Sequence, residues 1–485
     1  MNKDGDIKTK TVSNLIWRFA ERVGAQGVTL LVSIVIARIL SPSDYGIIAL
    51  VTIFTSVLQV FIDSGLGTAL IQNKDADDLD FSTVFLFNVV FCLVFYVGLF
   101  ITAPYIADFY DNMALTSVVR VLGLTLIISG VKNVQQAYVS RNLLFKKFFF
   151  STLGGTIGAG ILGITMAYLG FGVWALVVQQ IFNATVDTVI LWLTVKWRPK
   201  KTFSFKRLKL LFNYGWKILV AMLVNTVYQN IRQLIIGKVY SPQDLAFYNR
   251  GKQFPDVFVS NINSSIDSVL LPVMANKQND REALKNMTRR AISVSSYIMW
   301  PLMLGLLSMG ESFISFVLTD KWLPAFPFLA IFCVVKGFEP IHTANLNAIK
   351  AMGYSDIILR IEVTKKVIGI VLIFITMHIS VFALGFSSVI YTIIAGILNA
   401  SPNKKLLNYT YIEQIKDILP SLAMATIMAI IVYFVGYIKV PIIFKLISQI
   451  FMGGVIYILL SVLFKSISFK YVYNIVRKYI KSNKI

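Results

Sequence analysis

The chain has 485 residues, 56% of them hydrophobic and only 14% charged, and carries a formal net charge of +22. That charge content is about half of the ~25% usual in soluble domains, and a soluble chain this long would divide its core into domains separated by polar surface. Apolar runs of about 20 residues recur along most of the length instead, each able to cross hydrocarbon. A soluble protein is therefore excluded, and so is an outer-membrane barrel, whose strands alternate apolar and polar residues over about ten positions.

Fourteen spans are predicted, at 14–39, 45–71, 82–106, 114–138, 151–170, 172–195, 214–239, 246–274, 291–310, 324–349, 361–378, 381–401, 421–439 and 442–464. Met1–Thr11 is polar, and the run after it lacks a short apolar core with a small-residue cleavage site, so no cleavable signal peptide is expected. In the first span Arg18, Arg22, Gln26, Thr29 and Ser33 recur every three or four residues as one polar stripe. Glu21 lies beside it and could neutralise Arg18 or Arg22. The second span follows Ser41-Pro42-Ser43-Asp44 and carries Asp63.

The loop Lys74–Asp80 is acidic, and its Asp75-Ala76-Asp77 resembles the D-x-D metal motif of sugar transferases. With no domain around it, a solvated loop is the better reading. Arg120 and Lys132 lie in the fourth span. Gly158–Gly163 matches the dinucleotide pattern G-x-G-x-x-G, but that pattern needs a strand–turn–helix context; inside the fifth span, with Gly154, it reads as a close helix contact. Asp187 is in the sixth span.

A basic segment, Lys196–Lys209, precedes the seventh span. Beyond it the chain repeats itself: Asn213-x-x-Trp216 echoes Asn14-x-x-Trp17, and Ser241-Pro242-Gln243-Asp244 echoes Ser41–Asp44 at an offset of 200 positions. This is the mark of an internal repeat. The offset covers six spans, an even number, so the copies run in the same direction, as in parallel transporter repeats. The expected organisation is an N-terminal lobe at 1–197, a basic linker at 198–213, a second lobe at 214–402, and two further spans with a basic tail at 403–485.

In the seventh span Asn225, Tyr228, Gln229 and Arg232 share a face, with Lys217 two turns earlier. The eighth carries Asn249, Gln253, Asp256, Ser260, Asn263 and Asp267 on one stripe, with Arg250 and Lys252 near its end. The tenth offers Lys336, Glu339, Thr343 and Asn347. Pro255, Pro301 and Pro340 are expected to kink their helices. His342 and His378 lie on different spans without Cys or carboxylate at ligand spacing, so no metal site is expected. Cys92 and Cys333 both fall inside spans, which rules out a disulfide framework. No Walker A sequence occurs, so this chain is not expected to hydrolyse ATP.

The basic residues have a sidedness. The even-to-odd loops hold Arg141, Lys146 and Lys147, the Lys196–Lys209 cluster, Lys277–Arg290 and Lys404–Lys416, and the tail adds Lys465 to Lys484. The odd-to-even loops hold Arg38, Lys238, Lys321, Lys439 and Lys445. By the positive-inside rule both termini are cytoplasmic. This asymmetry explains most of the net charge, and no nucleic-acid partner is expected.

Nine cations (Arg18, Arg22, Arg120, Lys132, Lys217, Arg232, Arg250, Lys252, Lys336) and six acids (Glu21, Asp63, Asp187, Asp256, Asp267, Glu339) fall inside spans. One Arg or Lys at a helix centre costs roughly 2.5–3.5 kcal/mol in lipid, so most must face water, pair or snorkel. Arg18, Arg22, Arg232 and Lys336 are read as lining a cavity. Arg120, Lys217, Arg250 and Lys252 either snorkel or bind. Glu21, Asp63, Asp267 and Glu339 are ion-pair partners or coupling-ion sites. The excess of cations argues against a cationic cargo. Arginine forks suit phosphate, and Asn225, Tyr228, Gln229, Trp17 and Trp216 could bond and stack against sugar rings.

The stretches Ala37–Gly46 and Phe61–Gln72 resemble the opening of bacterial polysaccharide transporters, the Wzx-type flippases and capsule or teichuronic-acid exporters. These belong to the superfamily that includes the MATE multidrug exporters and the lipid II flippase MurJ. The resemblance extends through Tyr240–Pro255. It implies an all-α membrane fold of two six-helix lobes in a V with two C-terminal helices, working by alternating access. It implies as cargo an undecaprenyl-pyrophosphate-linked glycan repeat unit, flipped from the cytoplasmic to the outer leaflet of the bacterial plasma membrane for O-antigen, capsule or exopolysaccharide synthesis. Arg18 and Arg22 resemble, by position, the cationic headgroup contacts of this superfamily. Membrane lipids, a polysaccharide polymerase and glycosyltransferases are the implied partners. No cofactor is expected; coupling to H+ or Na+ occurs in relatives, with no site assignable here. The alternatives are a cation-coupled multidrug antiporter of the MATE type and a membrane-embedded glycosyltransferase or polymerase. The second needs a sizeable outer loop, and every loop here is short.

Overall fold

The computed structural model describes residues 3–63 and 65–482; for 3–16, 19, 63, 214, 261, 475, 476 and 478–482 it describes the backbone alone. Among the described residues every regular element is helical. In chain order these are α1 (Lys3–Ile39), α2 (Pro42–Asp63), α3 (Leu66–Gln72), α4 (Asp78–Phe109), α5 (Ala114–Leu122), α6 (Leu124–Arg141), α7 (Phe145–Tyr168), α8 (Val173–Thr194), α9 (Phe205–Val239) and α10 (Pro242–Ala275). Then follow α11 (Arg281–Ser308), α12 (Gly310–Leu318), a 3-10 turn (Asp320–Ala325), α13 (Phe326–Gly337), α14 (Glu339–Ala351), α15 (Ser355–Thr376), α16 (Val381–Leu406), α17 (Tyr411–Val435), α18 (Ile442–Leu463) and α19 (Ile467–Ser482).

Twelve helical segments are long and apolar enough to cross a membrane, and the bent α9 makes a thirteenth. The remaining predicted span, 361–378, falls on α15. Arg360, Glu362, Lys365 and Lys366 crowd its first half with charge, so no long uncharged stretch remains in α15. Several spans are broken. Pro42–Gln72 divides between α2 and α3, Ala114–Arg141 divides at Gly123, and Asp320–Ala351 divides between Gly337 and Glu339. Pro340, expected to kink a helix, instead sits in the first turn of α14, where its missing N–H costs nothing. Pro255 and Pro301 lie inside α10 and α11.

Packing divides the chain into two compact units, Met1–Ala246 and Phe247–Ile485. The first includes α9, the opening helix of the second sequence copy, so the sequence repeat and the packing units are different divisions of the chain. The repeated tetrapeptides are matching helix caps. Ser41 Oγ and N donate to Asp44 Oδ2 at 2.6 and 3.1 Å while Asp44 N donates to Ser41 Oγ at 3.2 Å. The same three bonds at Ser241 and Asp244 measure 2.6, 3.2 and 3.0 Å. Each is a reciprocal capping box with proline at the first helical position. They start α2 and α10.

In the first unit, glycines set the helix spacing. A Cβ on Gly46 would lie 1.8 Å from the Pro242 carbonyl oxygen, and one on Gly237 would lie 2.3 Å from Leu50. The Gly158–Gly163 stretch lies wholly within α7. A Cβ on Gly155 would meet Asn183 at 2.8 Å, one on Gly158 would meet Phe182 at 2.9 Å, and one on Gly160 would meet Val32 at 2.5 Å. This seats α7 against α8 and α1, which is close helix packing as expected. Lipid tails supply no hydrophobic drive between helices, so such close approach carries the association.

The second unit is built around α11, which packs on α14, α17 and α18. Its polar pins are buried. Tyr297 and Ser461 bond at 2.8 Å, and the Tyr457 hydroxyl donates to the Tyr297 carbonyl at 2.9 Å. Asn345 Nδ2 donates to Gln414 Oε1 at 2.7 Å, and Asn403 Nδ2 donates to Asn345 Oδ1 at 2.7 Å, joining α14, α16 and α17. Phe469 and Val472 of α19 pack against the same core.

Candidate functional site

The polar side chains singled out from the sequence fall into three groups, each on its own part of the fold. The first is on α1. Arg18 Nη1 bonds Glu21 Oε2 at 2.8 Å, and its guanidinium lies over Phe145 and Phe148 at 5.6 and 5.2 Å from the ring centres. Glu21 is buried; Arg22 is exposed and has no ion-pair partner among the described residues. One turn of α1 thus holds a neutralised arginine and an open one.

The second group is on α9. Asn225 and Gln229 are exposed, and Tyr228 and Arg232 are half-buried, on the face expected from their spacing. Helix α9 packs along α2, and α1 along α7. In the same unit Lys132 of α6 bonds Asp187 of α8 at 3.1 Å, both largely buried. Arg120 donates to the Phe100 carbonyl and stacks on that ring at 4.2 Å.

The third group is in the second unit. Lys336, read from the sequence as lining a cavity, is held between two carboxylates, Asp256 Oδ1 at 3.0 Å and Glu339 Oε2 at 3.7 Å. The side chains are 22%, 35% and 34% exposed, so the triad is partly hydrated and carries two negative charges against one positive. The reason is geometric. The α13–α14 break lies between Lys336 and Glu339, and Gly337 is pressed so closely on Trp300 that a Cβ there would sit 2.5 Å from the ring. Glu339 is therefore an ion-pair partner. Asp267 accepts from Asn347 Nδ2 at 2.7 Å. Asp63 ends α2, and its side chain lies outside the described residues. Arg250 does not snorkel: it is buried, bonded to Gln253 at 2.6 Å and stacked on Trp322 at 5.4 Å. His342 bonds Asn399 at 3.0 Å. No cluster of metal-ligating side chains occurs among the described residues.

The acidic loop Lys74–Asp80, expected to be solvated, is a clamp for the basic linker. Asp77 caps α4 in a reciprocal box with Asp80. Asp78 accepts from Trp197 Nε1 at 3.2 Å and pairs with Lys200 at 2.8 Å. Arg207 reaches Asp77 and Asp80 at 3.6 and 3.5 Å. Linker backbone joins in: Lys200 N donates to Ser82 Oγ at 3.0 Å, and Ser204 N donates to Thr83 Oγ1 at 3.1 Å. Charge complementarity between an acidic and a basic loop was the signal in the sequence that could have found it.

Other loops sort in the same way. Lys238 pairs with Asp111 at 2.9 Å. Lys285 and Arg289 reach Glu413 and Asp417 at 3.5 and 2.7 Å.

Long apolar helices interrupted by breaks, with polar stripes along them, define a multi-pass helical membrane protein. Its fold is similar to that of the lipid II flippase MurJ in the inward closed conformation, with a TM-score of 0.73 over 93% of this chain and 98% of that one at 16% identity. It is also similar to an inward-facing multidrug resistance MATE family transporter of the MOP superfamily, with a TM-score of 0.61 over 79% and 94% at 14% identity. Residues 35–327 match the family described as polysaccharide biosynthesis protein, and the chain belongs to that family. It is 28% identical over 310 residues to the teichuronic acid biosynthesis protein TuaB of Bacillus subtilis (strain 168), covering 62% of this chain and 63% of that protein. It is 24% identical over 366 residues to the lipopolysaccharide biosynthesis protein WzxC of Escherichia coli (strain K12), covering 74% and 73%. The match therefore spans just under two thirds of the Bacillus protein. The resemblance read from Ala37–Gly46 and Phe61–Gln72 is borne out at the level of the family.

Proposed function

We propose that the protein is a lipid-linked oligosaccharide flippase. It carries an undecaprenyl-pyrophosphate-linked glycan unit from the cytoplasmic to the outer leaflet of a bacterial plasma membrane, with both termini cytoplasmic. The observation that carries this reading is the exposure of Arg22, Asn225 and Gln229 on helices of membrane-crossing length. An arginine held against hydrocarbon is costly, which supports reading the Arg22 face of α1 as bordering water. Arginine with uncharged amides and a phenol suits a pyrophosphate attached to sugars. The polyprenyl tail stays in the bilayer while the head follows the polar stripes. Relatives named for teichuronic acid, succinoglycan and lipopolysaccharide biosynthesis support a surface-polysaccharide precursor as cargo.

The test is reconstitution of the chain in liposomes with a fluorescent lipid-linked glycan confined to one leaflet. Protein-dependent loss of asymmetry is expected, and Arg22→Ala or Arg232→Ala should slow it at least tenfold while leaving insertion intact. Unchanged asymmetry with correctly inserted wild-type protein would refute the reading.

A second reading, a cation-coupled antiporter, draws on the acid excess of the Asp256–Lys336–Glu339 triad. Flipping that needs a Na+ or H+ gradient would place the triad in coupling; uptake of cationic drugs without flipping would favour the antiporter outright.

A further inference from the structure

The start of α9, from Phe205 to Trp216, precedes the stripe that this function uses. Helix α9 bends by 52° between Phe205–Asn213 and Gly215–Val239. The bend encloses a concavity of about 480 Å³ lined by Lys206, Lys209, Leu210, Phe212, Asn213 and Trp216. The spacing of 206, 209, 210, 213 and 216 puts these residues along one side of the helix.

Three features of this elbow demand an anion. Residues 205–217 hold Lys206, Arg207, Lys209 and Lys217 and no acid. Arg207 is satisfied by Asp77 and Asp80, whereas Lys206 and Lys209 have no ion-pair partner among the described residues. Both also sit at the positive end of the α9 dipole, where cations are disfavoured unless compensated. The rest of the elbow is apolar and open: Phe205 is 73% exposed, Leu210 63% and Trp216 42%. Lysines, an amide and an indole among exposed apolar side chains form the chemistry of a membrane interface. An acidic peptide would leave those aromatic and aliphatic groups in water.

We infer that this elbow is a binding site for the headgroup of an anionic phospholipid, with phosphate between Lys206 and Lys209, the glycerol region by Asn213 and Trp216, and acyl chains over Leu210 and Phe212. The site precedes the cargo stripe of Asn225, Tyr228, Gln229 and Arg232 on α9, and it takes Trp216, read from the sequence as a sugar-stacking residue, as a lipid contact instead.

The experiment uses the full chain in phosphatidylcholine nanodiscs, doped with brominated phosphatidylglycerol or brominated phosphatidylcholine in both leaflets. The signal is the emission of Trp216, taken as wild type minus Trp216→Phe. Half-quenching by the glycerol lipid is expected at a mole fraction roughly tenfold lower than by the choline lipid, since each basic side chain adds to the attraction for an anionic surface. The difference should shrink in high salt. Lys206→Gln with Lys209→Gln should abolish the preference, and Lys206→Arg with Lys209→Arg should keep it.

Equal quenching by both lipids, or a preference that survives the glutamine pair, overturns the inference. So does displacement of the glycerol lipid by polyprenyl pyrophosphate at equal mole fraction, which would assign the elbow to the cargo. Flipping is not read in this assay, so failure here leaves the proposed function standing, and loss of flipping leaves this site standing.

Discussion

Gly65 and Gly215 meet backbone to backbone. A Cβ built on Gly215 would lie 2.7 Å from the Gly65 carbonyl carbon and oxygen. Gly65 sits in the interruption between α2 and α3, and Gly215 sits at the bend of α9. Two helix irregularities are thus stacked on each other, and a side chain on Gly215 would force them apart.

Gly215→Val should therefore destabilise the first unit by about 1–3 kcal/mol, the usual cost of overpacking. Gly27→Ala is the control: it is a helical glycine with nothing within 4 Å of its added Cβ, and alanine there should be neutral or stabilising by up to ~1 kcal/mol. Thermal unfolding of the purified variants followed by tryptophan emission separates the two. Equal melting of Gly215→Val and wild type would contradict close packing at this crossing.

The clamp predicts a protected linker. Asp78→Asn combined with Arg207→Gln should speed tryptic cleavage at Lys200 and Lys201 severalfold, while cleavage in the C-terminal tail stays at the wild-type rate. A linker that is cut equally fast in both proteins is not held by these bonds.

The same clamp has a pH signature. The Asp80 N–H, donating at 3.0 Å, holds the Asp77 carboxyl below the usual carboxylate range. A depressed carboxyl stabilises the fold above its unfolded pKa of roughly 3.9, and the contribution is lost as pH falls through the lower folded value. The stability Asp77 contributes, read as the difference between wild type and Asp77→Ala, should stay constant from pH 8 to 5 and fall only below about pH 4. A transition between pH 8 and 5 would point to a different titrating group. Asp77→Ala should cost about 1 kcal/mol through the lost cap.

The Lys336 triad should show strong coupling. Lys336→Gln leaves Asp256 and Glu339 facing each other and should cost about 1–2 kcal/mol, less than the 3–5 of a dry pair because all three side chains are partly hydrated. Adding Asp256→Asn should recover part of that loss. A double-mutant cycle in chemical denaturation measures it, and simple additivity would mean the partners do not interact.

The amide network of the second unit is dry, so it should be less forgiving. Asn345→Leu strands the Asn403 and Gln414 amides and should cost about 2–3 kcal/mol, whereas Asn230→Leu on half-exposed α9 should cost under 1. Comparable losses in both would show that the network is not the pin it resembles.

Much of the architecture was legible because a membrane imposes a simple grammar. Spans had to be about 20 apolar residues long, and a duplicated Ser-Pro-x-Asp had to start a helix through its own local bonds. The glycines of α7 were readable as packing for the same reason, since the pattern sat inside a span.

The helices and their polar stripes could be read from the chain alone because they follow from local periodicity and transfer cost, and the family could be read from the Ala37–Gly46 and Phe61–Gln72 motifs. Which charge met which was left to packing. Lys336 gained Asp256, Arg250 folded onto Trp322 instead of snorkelling, and the loop of Asp77, Asp78 and Asp80 closed on Trp197, Lys200 and Arg207. Those pairings join residues up to 130 positions apart, and a stripe on one helix fixes the face of a charge without naming the partner that packing will bring to it.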